Sequence, residues 1–157
     1  MFRQVPNIYS LKAASAEGFS ELNAFDASLI KSGVGNTNLV RMSSILPPFC
    51  KQKDSITLPL GSLVPVAYAS ITSSKKSEII SAAVAIGIPK DKTKNGLIME
   101  YEKEGITKQE AEEYVIKMTE WGMSYRNYEI ERIESIAVSH TVVEHGSAFA
   151  CVVLWWE

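Results

Sequence analysis

The chain has 157 residues, of which 46% are hydrophobic, so it is long enough to bury a core and is expected to form one domain. A formal net charge of -2 gives no basic footprint for nucleic acid. The N-terminus lacks the apolar stretch of a signal peptide, and no segment approaches the roughly 20 apolar residues that span a bilayer. We therefore expect a cytoplasmic protein without nucleic-acid or membrane partners.

The first predicted element is an amphipathic helix in SELNAFDASLIKSG. Leu22, Phe25, Leu29 and Ile30 share one face at helical spacing, and Gly33 is placed to end the helix. The segment NLVRM follows as a short strand that runs up to two adjacent serines. After it, FCKQKDSITLPLG is polar and contains proline, which is typical of a loop.

Three further segments have the patterns of strands. SLVPVAYASIT contains Pro65, which indicates a sheet edge or a bulge. IISAAVAIGIP is small and apolar throughout, as expected of a strand covered on both faces. GLIMEYE alternates, with Leu97, Met99 and Tyr101 on one face and Ile98 and Glu100 on the other.

A second helix begins with a capping box formed by Thr107 and Glu110. It is predicted to run to about Trp121 and to bury four apolar side chains, Ala111, Tyr114, Val115 and Met118. YEIERIESIAVSHTV and SAFACVVLWW then form two long strands, the second ending at Trp155 and Trp156, which suit either a core or a subunit interface. The whole pattern predicts an α+β sandwich with αββα layers and mostly antiparallel sheets, in a single domain over residues 1–157.

Two motifs that suggest ligand sites do not hold. In HTVVEH one residue too many separates His140 from the Glu-His pair for the H-x-x-E-H zinc pattern, and on a strand positions 140 and 145 point to opposite faces. GVGNTN follows a helix and lacks the Gly-Lys-Ser/Thr of a phosphate loop. The two cysteines, Cys50 and Cys151, make neither a disulfide framework nor a zinc-ligand set, so no metal is expected.

The strand NLVRM ends on Ser43 and Ser44, shortly before Pro47 and Pro48. Because proline lacks an amide hydrogen and restricts the residue before it, the chain must turn here. Two serines at such a place are ordinary turn residues, or they form a peptide bond that reacts with itself. The residues alone leave both interpretations open.

The surrounding motifs favour the second interpretation. LNAFDASL, GVGNTNLVRMSSILPP, LPLGSLVPVAYA, ISAAVAIGIPKDKTKNGLIMEYE and RIESIAVSHTVVEHGSAFACVVLWW resemble, in register, the pyruvoyl-dependent arginine decarboxylases. The resemblance runs from about Leu11 to Trp156 and leaves out the polar loop from Phe49 to Ile56. It implies a lyase of polyamine biosynthesis that converts L-arginine to agmatine and carbon dioxide.

The resemblance also implies that the cofactor comes from the chain. The Ser44 hydroxyl attacks the Ser43 carbonyl, the resulting ester eliminates, and the dehydroalanine left at position 44 becomes a pyruvoyl group. Residues 1–43 and 44–157 are then separate chains. The pyruvoyl carbonyl forms a Schiff base with the substrate amine and accepts electrons, as pyridoxal phosphate does elsewhere. We find no lysine and phosphate site for pyridoxal phosphate in the sequence.

Two further roles follow from the resemblance. Glu100 donates the proton to the substrate carbon after decarboxylation, and burial beside Ile98 would raise its pKa toward a working acid. The alternatives are a solvent-facing glutamate at a strand end, or Glu102 as the acid. Asn38 matches the position associated with processing, where its amide is a candidate oxyanion donor, the alternative being a helix- or turn-capping asparagine.

Substrate recognition is implied to rest on charge. Asp26 matches the position that faces the guanidinium, and Leu22 and Leu29 lie near enough on the same helix to line an aliphatic slot. Asp26 equally suits a solvated helix position. Family members are homotrimers with sites between protomers, so Asp26 and the pyruvoyl group are expected from different chains. Two alternatives remain: the same chemistry on another amino acid, or a non-catalytic trimeric binding protein on this fold.

Overall fold

A computed structural model describes residues 5–157 and forms two β-sheets, with one helix packed on the outer face of each. The strands are β1 (Ile8–Glu17), β2 (Asn38–Arg41), β3 (Ile45–Leu46), β4 (Lys51–Gln52), β5 (Leu63–Ser73), β6 (Ile79–Pro89), β7 (Gly96–Glu104), β8 (Ile130–Thr141) and β9 (Gly146–Trp155). The helices are α1 (Glu21–Lys31) and α2 (Lys108–Tyr125). This arrangement confirms the predicted α+β sandwich. Residues 1–4, at the start of the segment considered for a signal peptide, lie outside the described residues.

Sheet 1 has the strand order β2-β5-β9-β1-β4, and sheet 2 has the order β3-β7-β6-β8. Only the β1/β4 and β2/β5 pairs are parallel, so the sheets of the described chain are mostly antiparallel, as predicted. β2 and β3 are edge strands of different sheets, and the chain crosses from one sheet to the other between them.

The main core lies between the two sheets. β6 contributes Ala82, Val84 and Ile86, and β9 contributes Ala150 and Val152. β6 is buried at every position after Ile79, which confirms the prediction of a strand covered on both faces. Its outer face carries alanines, whose small side chains let α2 approach the sheet closely.

The prediction for α1 was only partly right. Ser20 caps the helix, and Gly33 follows it with a positive φ of 79°, as expected of a residue that ends a helix. However, Leu22 is 74% exposed and Ile30 is 54% exposed, whereas Ala24, Ser28 and Leu29 are buried. The Ser28 hydroxyl lies 3.1 Å from the Ser147 hydroxyl on β9. Small side chains thus allow close contact with the sheet, which turns Leu22 and Ile30 outward.

The second helix is longer than predicted. The capping box of Thr107 and Glu110 is present, but α2 continues four residues beyond Trp121 to Tyr125. Ala111 and Val115 are buried as expected, Met118 is half-buried, and Tyr114 is 52% exposed. The buried stripe instead continues through Thr119, Gly122 and Met123. Neither α1 nor α2 is long and apolar enough to cross a membrane, and these are the helices of residues 5–157.

The strand containing Pro65 was predicted to be an edge strand or to carry a bulge, and it is neither, because its pairings with β2 and β9 run without a register shift. β5 lies between β2 and β9 in sheet 1. Pro65 is tolerated because pairing with β9 begins only at the next residue, where Val66 pairs with Val153. At the other end of the chain, Trp155 packs partly buried beneath α1, with its ring centroid 5.2 Å from that of Trp156.

Candidate active site

The Ser43–Ser44 peptide bond joins the two sheets. β2 ends at Arg41, although the Met42 amide still donates to the Val66 carbonyl of β5 at 3.1 Å. β3 begins at Ile45, which pairs with Leu97 of β7. The apolar strand therefore stops at the serines because the chain leaves sheet 1 at this point and enters sheet 2. We call residues 42–44, which join β2 to β3, the crossing.

Ser44 holds an unfavourable backbone conformation at this crossing. Its φ is 77°, a left-handed value that costs a residue with a side chain roughly 1–2 kcal/mol. The Ser44 carbonyl accepts a hydrogen bond of 2.9 Å from the Ile98 amide of β7, and the residue is only 8% exposed. The sharp bend was expected at Pro47 and Pro48, but β3 separates them from the serines, and the strain lies at Ser44 itself.

Glu100 meets Ser44 across 56 residues of sequence. The Ser44 hydroxyl donates to Glu100 Oε2 at 3.1 Å. Glu100 lies on β7 on the same face as Ile98, which is completely buried, and its own side chain is 17% exposed. Burial raises the pKa of Glu100, while the hydrogen bond from Ser44 and the charge of Arg41 act against this rise. The expectation that its surroundings raise its pKa therefore agrees with the structure.

Glu102 shares this face of β7 but lies farther toward solvent. Burial raises the pKa of Glu102 as well, the charge of Arg41 lowers it, and the neighbouring Glu100 raises it further. The pKa shifts of Glu100 and Glu102 have the same direction and do not distinguish them. The hydrogen bond from the Ser44 hydroxyl goes to Glu100, and this contact does.

Arg41 is a member of the site that the sequence analysis missed. Its Nη2 donates to the Tyr68 carbonyl at 3.0 Å, and its guanidinium lies 4.6 Å from the centre of the Tyr68 ring. The same nitrogen lies 3.9 Å from Glu100 Oε1. The sequence feature that could have identified Arg41 is its positive charge at the end of the strand, two residues before Ser43.

Asn38 lies at the far end of β2 from the serines. Its side-chain amide donates to the Gly61 carbonyl at 2.9 Å, in the turn that precedes β5. Three residues of strand, or about 10 Å, separate it from Arg41. Within one protomer its amide therefore serves a turn, as the capping alternative anticipated, and the processing role stays a prediction.

The residues assigned to substrate recognition lie on α1. Asp26 and Leu22 are exposed, whereas Leu29 packs into the core beneath the helix and is 8% exposed. Of the two leucines, Leu22 is therefore the accessible one, and the substrate role of both residues stays a prediction. α1 covers the outer face of sheet 1, and Glu100 points from sheet 2 into the space between the sheets. The body of sheet 1 thus separates Asp26 from Ser44 within one protomer.

The two histidines have local partners. His140 Nε2 lies 2.7 Å from Glu17 Oε1, and His145 Nδ1 lies 2.8 Å from the Ser74 hydroxyl. β8 ends at Thr141, so His145 belongs to the β8–β9 turn and not to a strand as assumed from the sequence. Within residues 5–157 no three His, Cys, Asp or Glu side chains are grouped so as to hold a metal ion.

The arrangement around Ser44 suits a pyruvoyl group made from the chain itself. A serine with a strained backbone and a buried hydroxyl is in hydrogen-bond contact with a carboxylate whose pKa is raised. A raised pKa makes a carboxylate a better proton acceptor and keeps more of it in the protonated form that donates. The residues present therefore fit both the formation of the group and an acid placed beside it.

Comparison with known proteins agrees with this arrangement. Residues 8–156 match the family described as pyruvoyl-dependent arginine decarboxylase (PvlArgDC). The chain is 50% identical to the pyruvoyl-dependent arginine decarboxylase of Methanocaldococcus jannaschii, with 98% of this chain and 93% of that protein covered. It is 47% identical to the protein of the same name from Methanococcus maripaludis, with the same coverage, and 41% identical to that of Pyrococcus abyssi, with 91% of each covered. The chain therefore belongs to the pyruvoyl-dependent arginine decarboxylases, a family of carboxy-lyases with a covalent pyruvoyl cofactor.

Proposed function

We propose that this arginine decarboxylase makes its pyruvoyl group from Ser44 by cutting its own Ser43–Ser44 bond. The observation that carries the proposal is the contact between the Ser44 hydroxyl and Glu100 Oε2, at 3.1 Å, in a strained crossing between two sheets. A serine hydroxyl is a weak nucleophile until a neighbouring base takes its proton. Glu100 is such a base when it is ionised.

The proposed cleavage proceeds by ester formation, elimination and hydrolysis. Glu100 accepts the hydroxyl proton while Ser44 Oγ bonds to the Ser43 carbonyl carbon, and the C–N bond then breaks as the amide nitrogen takes a proton. The Ser44 Cα proton then passes to solvent water as the Cβ–Oγ bond breaks, which leaves a carboxylate on Ser43 and dehydroalanine at position 44. One water enters and one ammonia leaves to give the pyruvoyl carbonyl. Because the nitrogen of position 44 is lost, the reaction also removes the strained φ of Ser44.

During turnover the pyruvoyl group supplies the electron sink that loss of carbon dioxide requires. Glu100 then acts as an acid and not as a base, because the substrate carbon must receive a proton. Its contact with the side chain of position 44 supports this role, since the reacting carbon is bound beside that position. The burial that raises the pKa of Glu100 favours the protonated form that donates.

The proposed site is completed between protomers of a homotrimer. Exposed apolar side chains lie along this edge of the molecule, with Val40 and Ile45 near the serines and Leu60 and Leu63 beside the other end of β2. A second exposed apolar set lies on or beside α1, namely Phe19, Leu22 and Ile30. Contact between two different patches is head-to-tail, and such contacts form a closed ring when the rotation from one protomer to the next closes, as in a trimer. In such a ring, Asp26 from one protomer approaches Ser44 of the next.

Removing the charge of Asp26 tests arginine recognition. Asp26→Asn is expected to lower kcat/KM for arginine about tenfold to a hundredfold, because a hydrogen bond to a charged group contributes roughly 1.5–3 kcal/mol. Citrulline has a similar side-chain length without the charge, so its turnover should fall much less. Steady-state kinetics with both substrates measure the difference.

Glu21→Gln, which removes a charge from the same helix, is the matched control for Asp26. It should leave the preference for arginine over citrulline unchanged. If Asp26→Asn lowers the turnover of both substrates equally, Asp26 supports the fold and does not bind the guanidinium.

Asn38 is expected to assist processing by holding the start of β2 in register with β5. Asn38→Ala removes its hydrogen bond to the Gly61 carbonyl, worth about 1 kcal/mol, so cleavage should slow by up to about tenfold. Intact mass over time measures the rate. A loss on the order of a thousandfold would instead indicate direct donation to the oxyanion, which typically contributes about 3–4 kcal/mol.

Intact mass of the wild-type protein tests the proposed function directly. We expect two species that correspond to residues 1–43 and 44–157, together with release of agmatine and carbon dioxide from arginine. A single uncut chain that is inactive on arginine would contradict the proposal. We also propose a cytoplasmic location without nucleic-acid or membrane partners, and the net charge of -2 supports the absence of a nucleic-acid partner.

A further inference from the structure

The guanidinium of Arg41 is held in place independently of Glu100. It donates to the Tyr68 carbonyl at 3.0 Å and lies 4.6 Å from the centre of the Tyr68 ring. These two contacts with β5 fix the planar group beside the crossing. At 3.9 Å, the distance to Glu100 Oε1 allows electrostatic attraction but is too long for a hydrogen bond. Arg41 thus has hydrogen-bonding capacity left toward the crossing.

The proposed cleavage creates a second carboxylate at this place. Ser43 becomes a chain end with a negative charge, two residues after Arg41, and it lies next to the residue whose side chain contacts Glu100. Two extended residues span about 7 Å, which is within reach of an arginine side chain. The charged groups that face Glu100 are Arg41 from β2 and Glu102 from β7, while the paired position on β6 is the apolar Val84.

We propose that Arg41 is a positioning residue that serves two carboxylates in turn, Glu100 before cleavage and the new Ser43 carboxylate after it. This proposal rests on the proposed cleavage at Ser43–Ser44. A carboxylate at a chain end accepts a bidentate pair of hydrogen bonds from a guanidinium, which the distance to Glu100 does not permit. The new pairing of the Arg41 guanidinium with the Ser43 carboxylate also keeps the end of the 1–43 piece beside the site.

The change of partner of Arg41 converts Glu100 from a base to an acid once cleavage has occurred. Before cleavage Arg41 favours the ionised form of Glu100, which is the base that activates Ser44. After cleavage the positive charge is neutralised by Ser43, so the pKa of Glu100 rises and the protonated form needed for turnover is favoured. The product of the first reaction thus prepares the acid for the second.

Arg41→Gln tests the inference, since glutamine keeps hydrogen-bonding groups and removes the charge. Without Arg41 the pKa of Glu100 rises in both states, because the positive charge no longer favours the ionised form. The pH profile for cleavage should therefore move to higher pH, by about one pH unit for the loss of a nearby opposite charge, so that cleavage is slower near neutral pH. The upper pH limb of kcat in cut enzyme should move up by a similar amount, so that activity persists to higher pH. Intact mass gives the first profile, and kcat normalised to the cut fraction gives the second.

Two further variants separate charge from structure. Arg41→Lys restores the charge and should return both profiles toward those of the wild type. Arg126→Gln removes a guanidinium that also donates to a backbone carbonyl, that of Gly122, and should move neither profile. Thermal unfolding of each variant identifies a folding defect, which lowers rates without shifting either pH limb.

Unshifted profiles in Arg41→Gln, or an Arg41→Lys variant that behaves as Arg41→Gln does, would overturn the inference. Wild-type protein that is cut at Ser43–Ser44 and active would leave the proposed function intact in that case. Wild-type protein that stays uncut would instead contradict the proposed function itself.

Discussion

Ser44→Ala is expected to leave the chain in one piece and without decarboxylase activity. Alanine occupies nearly the same space and tolerates the left-handed φ about as well as serine, but it has no oxygen to attack the Ser43 carbonyl. The carboxylate of Glu100 remains in place without a nucleophile to activate. Intact mass after prolonged incubation, combined with carbon dioxide release from arginine, checks both parts of the result.

Ser43→Ala is the matched control, because it changes the neighbouring side chain and keeps the attacking hydroxyl and the attacked carbonyl. It should still be cut and active. Two fragments from Ser44→Ala would rule out Ser44 as the nucleophile. An uncut Ser43→Ala variant would show that the crossing does not tolerate small changes, so that the Ser44→Ala result would not identify a nucleophile.

Glu100→Gln is expected to slow both cleavage and turnover by about a hundredfold to ten-thousandfold, the range typical of general acid–base groups. Glutamine still accepts the hydrogen bond from Ser44, but it neither takes the hydroxyl proton nor returns a proton to the substrate. Cleavage is followed by intact mass, and turnover is normalised to the fraction of chain that has been cut. The normalisation keeps slow formation of the cofactor from being counted as slow decarboxylation.

Glu102→Gln removes a neighbouring carboxylate from the same face of β7, and its pKa is also raised by burial. We expect this variant to be cut and to turn over at rates close to those of the wild type. If Glu102→Gln were the slow variant and Glu100→Gln the normal one, the two roles would have to be exchanged. Rates near those of the wild type in both variants would assign the acid and base to residues other than Glu100 and Glu102.

Cleavage at the crossing does not require the two pieces to separate. The 1–43 piece contains β1, which lies inside sheet 1 between β9 and β4 and pairs with β9 over ten residues. It also contains α1, which packs against sheet 1, and β2, which pairs with β5 in that sheet. Because its strands pair with strands of the 44–157 piece, the cut removes one covalent link and leaves these contacts in place. The crossing between two edge strands is therefore a place where a chain break disturbs little of the fold.

Local patterns in the sequence predicted both helices, β2 and the strands from β5 to β9, but they missed β1 and β3, and β4 lies in the segment that was predicted to be a loop. The capping box at Thr107 and the alternation from Leu97 to Tyr101 depend on residues close in sequence, so they were predicted correctly. The dipeptide Ser43-Ser44 was also visible as an unusual end to an apolar strand. The resemblance to a family then connected these serines with Glu100 and Asp26, which no local pattern joins.

Only the tertiary structure decided how these residues meet. The contact between Ser44 and Glu100 links positions 56 residues apart, and it depends on β3 pairing with β7. The outward position of Leu22 follows from close packing of Ser28 against β9, which helical spacing cannot predict. The role inferred for Arg41 depends on its contacts with Tyr68, a residue of a different strand. In each case long-range packing sets the position of a side chain, while periodicity in the sequence sets only the element that carries it.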